Sequence, residues 1–320
     1  MKNSVILLLT LVLLGCNQQE ADVYLFSFFK GNGEKGLYLA ASRDGFSWEA
    51  LNNNQSFLKP QVGKDKLMRD PCIIKGGDGK FHMVWTVSWN EKGIGYANST
   101  DLIHWSEQKY LPVMEHETEA RNCWAPELFY DTDSKTYLLF WATTLPGRFP
   151  ETDALGDDGY NHRMYATTTK DFIDFSETKL FYEPGFNVID ATILKTKDAY
   201  RMFIKDETLL PEPKKNIRIA TSDKLQTQWS PPSEPITQNW VEGPTVMQFN
   251  DHWIVYFDRY TEGKMGAVRS SDLKTWTDIS DQIQFPEGIR HGTIGRATAK
   301  NCRWFSSGRS CESRSRACPE

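Results

Sequence analysis

The chain has little excess of either charge: 37 Lys and Arg stand against 42 Asp and Glu, for a formal net charge of -5. No basic field is available to hold phosphates, which excludes nucleic acid as a partner. Cysteine is scarce, and six in 320 residues cannot make the disulfide framework of a small secreted scaffold. A helical period is missing too, since no stretch after residue 22 keeps an apolar 3.6-residue repeat for a dozen residues. The apolar run from Val5 to Leu14 is too short and wrongly flanked to span a bilayer.

What that run does fit is a targeting segment. Lys2 supplies a positive n-region, and Leu13-Leu14-Gly15-Cys16 closes it with a small-residue site ending in cysteine. An ordinary secretory peptide shares the apolar run, but cysteine directly after Leu-Gly favours lipid attachment at Cys16. Residues 1–16 are therefore expected to be a lipoprotein signal with its lipidated cysteine, and 17–21 a polar tether. The mature protein would be an exported bacterial lipoprotein of the outer membrane or periplasm, held to the membrane through its lipid alone.

Aromatic residues are plentiful, with 11 Trp, 12 Tyr and 18 Phe. They fill all-β cores and also make flat platforms for sugar rings. Some fall in a repeated segment in which Ser or Thr precedes an acidic turn and an aromatic residue. It reads Ser42 to Trp48, Ser99 to Trp105, Thr169 to Phe175 and Ser270 to Trp276, with a looser copy from Ser222 to Trp229. Copies at this kind of spacing mark a repeat architecture. Between them lie short β-rich runs, such as Phe81 to Ser88 and His252 to Asp258, flanked by turn formers. The fold class expected is all-β, a five-bladed β-propeller over residues 22–294.

A second motif set marks the start of each innermost strand: Asp70-Pro71, Trp124-Ala125-Pro126-Glu127, Ile189-Asp190, Glu242-Gly243-Pro244 and His291-Gly292-Thr293. The first aromatic repeat precedes the first of these motifs, and no repeat follows the last. Ring closure should thus come from N-terminal strands, near Tyr24 to Phe29 and Gly36 to Ala41, packing outside the strand that begins near His291. In a meander blade the start of the inner strand and the loop between its second and third strands share one face. Asp70, Trp124, Asp190, Glu242 and His291 should converge there, below the long loop from Leu145 to Arg163. Three carboxylates in one cleft suit glycosidic bond hydrolysis, where one acid protonates the leaving oxygen and another handles the nucleophile. Cys72 and Cys123, each beside one of these motifs, are either paired or buried as free thiols.

Taken in order, Arg69-Asp70-Pro71, Trp124-Ala125-Pro126-Glu127, Ile189-Asp190, Val241-Glu242-Gly243-Pro244 and Arg290-His291-Gly292 resemble the motif set of glycoside hydrolase family 43. The resemblance implies an inverting mechanism with Asp70 as general base, Glu242 as general acid and Asp190 orienting the acid and tuning its pKa. It implies an oligosaccharide or polysaccharide substrate bearing arabinofuranose or xylose, no required cofactor, and a structural calcium ion on the axis near His291. Trp124, Glu127, Trp89, Arg259 and Arg290 are the candidate substrate contacts, although core packing is the simpler account of Trp89. Arg259 either donates to sugar hydroxyls or pairs with Asp258. The protein is expected to be a monomer.

After Ile294 the apolar alternation stops. Residues 295–320 read as an Arg-, Ser- and Cys-rich tail with Cys302, Cys311 and Cys318. Two other readings compete. A family 32-like fructan hydrolase would need an early Trp-x-Asn-Asp-Pro stretch and a Cys after its acid Glu, and the chain has neither. A non-catalytic sugar-binding propeller lipoprotein is opposed by the presence of all three acids.

Overall fold

A computed structural model describes residues 23–226 and 228–297. The expected lipidation site Cys16, the tether and the three tail cysteines lie outside the described residues. The strands are β1 (Val23–Phe28), β2 (Tyr38–Ser42), β3 (Glu49–Ala50), β4 (Arg69–Lys75), β5 (Phe81–Thr86), β6 (Ile94–Ser99) and β7 (Lys109–Leu111). They continue with β8 (Trp124–Asp131), β9 (Thr136–Thr144), β10 (His162–Thr169), β11 (Lys179–Tyr182), β12 (Val188–Lys195), β13 (Tyr200–Asp206) and β14 (Asn216–Ser222). The last are β15 (Glu242–Phe249), β16 (His252–Arg259), β17 (Lys264–Ser270), β18 (Thr277–Asp278) and β19 (Gly292–Ala297). Five antiparallel sheets result: β4 to β7 form blade I, β8 to β11 blade II, β12 to β14 blade III and β15 to β18 blade IV. Blade V has the order β19-β1-β2-β3, so the two ends of the described chain close the ring. Its seam pairs Phe28 with Gly292 through Val23 with Ala297, which carries the last strand three residues past the expected boundary at 294.

Each blade buries both faces, which is why its strands are apolar nearly throughout. In β9, Tyr137, Leu139 and Trp141 pack toward blade I, while the alternate residues Leu138, Phe140 and Ala142 pack toward blade III. In β16, Ile254 and Tyr256 face blade V and Val255 and Phe257 face blade III. The period of two thus feeds two cores from one strand. Completely burying a side chain such as Phe140 or Phe257 stabilises by about 1.5 to 3 kcal/mol.

The aromatic repeats are turns entering the outer edge of a blade. In the first, Ser42 Oγ accepts from the Gly45 amide at 2.9 Å and Asp44 Oδ1 accepts from the Ser47 amide at 2.9 Å. Ser99 with Asp101 and Ser270 with Asp272 build the same turn, as these side chains do when they compete with backbone partners. Blade III, which carries the looser copy, has three strands where about four were expected. Residues 230–236 still run beside β14, with the Ser230, Ser233 and Ile236 amides donating to Thr221, Ile219 and Ile217. Pro231, Pro232 and Pro235 have no N–H with which to complete the ladder.

Candidate active site

Four of the inner strands start with the same irregularity. The register slips between Arg69 and Cys72, Trp124 and Glu127, Ile189 and Thr192, and Glu242 and Thr245. At each slip one residue has left-handed backbone: Asp70 (φ 52°), Ala125 (φ 44°), Asp190 (φ 53°) and Gly243 (φ 60°). Such bulges re-aim side chains at sheet edges and beside active sites. Asp70 and Asp190 therefore occupy equivalent places in their blades, whereas Glu242 stands one residue earlier, where the other blades have Arg69, Trp124 and Ile189. Only glycine suits position 243, because a Cβ there would come 2.3 Å from His291 Cγ.

These positions meet, with Arg290 and His291 of blade V, around one cleft of about 410 Å³ on the axis, a size ordinary for a small-molecule site. Asp70 accepts from Thr86 Oγ1 at 2.9 Å, and His291 Nδ1 lies 3.3 Å from its other oxygen. Asp190 Oδ2 accepts from the Gly243 amide at 3.0 Å. Glu242 lies between two cations: Arg290 Nη2 is 2.9 Å from its Oε1 and Lys205 Nζ is 3.3 Å from its Oε2.

The three acids differ in how readily they take up a proton. Burial would raise Asp70, but the His291 hydrogen bond and charge, with Arg69 and Thr86, overcome it and hold the carboxyl down at about 2. Burial raises Asp190 to about 6 against the pull of His291 and Lys205, helped by the charges of Glu242 and Asp70. Glu242 is lowered, because Lys205, Arg290 and His291 outweigh its burial. Despite burial, His291 is raised to about 9 by Asp190, Asp70 and Glu242, and so is an imidazolium at neutral pH. Of the pair Asp190 and Glu242, Asp190 is therefore the first to take up a proton as the pH falls.

Trp89 and Trp124 line the cleft together, their rings edge to face at 5.3 Å, with Trp124 Nε1 donating to Trp89 O at 3.0 Å. Trp89 is 39 % exposed, so it is a rim residue and core packing does not explain it. A second lobe of about 410 Å³ shares both tryptophans and Glu207 and adds Tyr160, His162 and Asp157. Two expected substrate contacts do not reach the cleft. Arg259 is taken by Glu262, with Nε to Oε1 at 2.8 Å; strand alternation turns it away from buried Asp258, whose partner is Arg290 at 2.6 Å. Glu127 lies past its bulge and points into the axis, where Thr293 and Thr192 donate to its two oxygens at 2.8 and 3.3 Å.

Sequence reasoning missed Lys205, Glu207 and Tyr260, which also line the cleft. The alternation of Lys205 with Glu207 at the end of β13 was the available signal. Calcium takes about six to eight oxygen ligands. His291 Nδ1 is turned to Asp70, both Glu127 oxygens are occupied, and no cluster of three or more His, Cys, Asp or Glu among the described residues is placed to hold a metal. The residues around His291 do not fit a protein-caged calcium ion. Cys72 and Cys123 are both buried free thiols.

A five-bladed propeller with an axial carboxylate cleft is the class this architecture defines. Residues 19–302 match the family described as probable glycosyl hydrolase domain, related to glycoside hydrolase family 43, and the chain belongs to that family. It is 24% identical over 204 residues to an α-L-arabinofuranosidase of Bifidobacterium longum, an alignment covering 57% of this chain and 19% of that relative's length. Among solved structures, the α-L-arabinofuranosidase of Lactobacillus brevis superposes with a TM-score of 0.53 at 19% identity, covering 67% of this chain and 72% of that one. A thermostable family-43 glycoside hydrolase gives 0.54 at 16% identity, covering 70% and 78%.

Proposed function

We propose that the protein is an inverting glycosidase that removes single arabinofuranosyl or xylosyl units from the ends of plant-type glycans. The observation that supports this most is the opposed surroundings of Asp70 and Glu242 within one cleft. Asp70, fixed by Thr86 and His291 and ionised over the working range, is suited to take a proton from water. Glu242 is suited to deliver one to the leaving oxygen once a sugar excludes water from it, since desolvation favours the neutral carboxyl. Asp190 stands beside it as the weaker acid of the two, and its negative charge favours protonation of Glu242, so that the two titrate as a pair.

Action at chain ends is supported by the loop from Leu145 to Arg163, which walls the second lobe beside the cleft. Tyr160 Oη donates to Asn90 of blade I at 3.2 Å, and Asp157 meets Lys215 of blade III at 2.6 Å. The names of the Bifidobacterium longum and Lactobacillus brevis proteins favour arabinofuranose first. We also read Cys16 as the lipid attachment site of an exported monomer, which mass spectrometry of the mature N-terminus would test. Among the described residues no helix is long and apolar enough to cross a membrane.

The test of the activity is 4-nitrophenol release from arabinofuranosides, xylosides and galactosides by the protein, Glu242→Gln and Asp70→Asn, with the product anomer followed by NMR. Turnover of one sugar with inversion, lost in both variants, supports the reading. Retention of configuration or undiminished variants would sink it. Oligosaccharide binding with no turnover would favour a binding propeller.

A further inference from the structure

Between Glu242 and the wall loop runs a row of alternating charges. Lys205 Nζ lies 3.3 Å from Glu242 Oε2 and pairs with Glu207 Oε2 at 2.5 Å. Glu207 Oε1 pairs with Lys215 Nζ at 2.5 Å, and Lys215 reaches Asp157 Oδ2 at 2.6 Å. The lysine side chains are only 4% and 2% exposed. Strand geometry builds the row: Lys205 is the penultimate residue of β13 and Glu207 follows its last, still extended against Asn187, so the two point the same way, and Lys215 comes back beside them just before β14. A buried ammonium needs a partner at each face. Glu207 therefore serves two lysines, and its two oxygens are divided between them.

We propose that Lys205 and Glu207 are positioning residues that hold the Glu242 carboxyl and link it, through Lys215 and Asp157, to the loop walling the second lobe. This rests on the reading of Glu242 as the acid. Glu207 and Asp157 themselves line the second lobe, so a leaving-group sugar there contacts the outer part of the row. When its hydroxyls draw on Glu207 or Asp157, Lys205 is less neutralised and pulls harder on Glu242. When they leave, the pull relaxes. The other groups facing Glu242 are Arg290 and His291 of blade V, Asp190 of blade III, Asp258 and Tyr260 of blade IV and Asp70 of blade I. None of them touches the wall loop through a charge pair, which leaves Lys205 as the connection.

The test is a titration of the Glu242 carboxyl by 13C NMR of the full chain labelled at glutamate side-chain carboxyls, with its signal assigned by loss in Glu242→Gln. Lys205→Met should raise the midpoint by about one pH unit, the ordinary effect of removing a cation at this distance. Glu207→Gln should lower it, and Asp157→Asn should lower it by less. Because Lys205→Met removes one member of a buried pair and can compromise folding, Glu207→Gln and Asp157→Asn carry the test if it does not fold. Midpoints that stay within about 0.2 unit of the parent in every folded variant, or that move in the opposite sense, overturn the proposal. A midpoint that moves as expected while the basic limb of the kcat profile stays fixed would instead remove Glu242 from the acid role and leave the row standing.

Discussion

His291 Nδ1, from the strand that closes the ring, lies 3.3 Å from Asp70 Oδ1, at the head of the first blade. Closure of the propeller thus brings to Asp70 the imidazolium that does most to keep its carboxyl low. Replacing His291 with Gln removes an imidazolium from beside Asp70, whose carboxyl should then rise from about 2 toward its ordinary range. The acid limb of the kcat/KM profile is expected to move to higher pH, and a pH-rate series on both proteins checks it.

Glu242→Gln and Asp70→Asn should separate by leaving group. A proton donor matters little when the leaving group is already a stable anion, so Glu242→Gln should lose about 10²- to 10⁴-fold on oligosaccharides and much less on dinitrophenyl glycosides. Asp70→Asn should lose similar factors on both, because water attack is needed in each case. Parallel kcat/KM measurements on the two substrate types decide the matter.

Glu127 is buried on the axis, and burial raises it to about 7 despite the Thr293 and Thr192 hydroxyls and the His291 charge. An acid whose folded value is raised binds its proton more tightly when folded, so stability is lost as pH rises from the unfolded value to the folded one. The parent should therefore lose Tm relative to Glu127→Gln between about pH 4.5 and pH 7. Thermal melts across that interval would expose the error if the difference is flat.

Trp89→Ala should raise KM for oligosaccharides about 10-fold with little change in Tm, since the ring sits half in water at the rim and stacking is its main contribution. Trp124→Ala should raise KM and also lower Tm, because its ring packs on Tyr160 and His162 at 4.5 and 5.1 Å. Equal Tm losses would mean that Trp89 is a packing residue after all.

Gly243→Ala is expected to cost about 1 to 3 kcal/mol, seen as a lower denaturant midpoint. Its φ of 60° disfavours any side chain, and the new Cβ would press on the His291 ring. Activity should fall further than stability alone explains, since His291 would shift away from Asp70.

The repeats and the order of the five motifs were legible because each is a local property: a Ser or Thr with Asp makes its own turn, and a strand that feeds two cores is apolar on both faces. Blade number, ring closure and the convergence of Asp70, Asp190 and Glu242 could be argued from that spacing. The role of Glu127 could not, because a one-residue bulge inverts which side chains point at the axis, and nothing in Trp-Ala-Pro-Glu distinguishes the residues before and after the slip; that of Arg259 could not, because its partner Glu262 is met only across the turn. The alternation of Lys205 with Glu207 hinted at a shared face, but the row that they form with Lys215 was hidden for another reason. Their pairing crosses from β13 to the start of β14 and on to the wall loop, and charge partners at that separation leave no periodic trace. The sequence by itself determined the strands, their turns and which residues head each inner strand. Only the tertiary structure decided how readily each carboxylate ionises, because that depends on distances to Lys205, Arg290 and His291 that are set when five separately encoded blades meet on one axis.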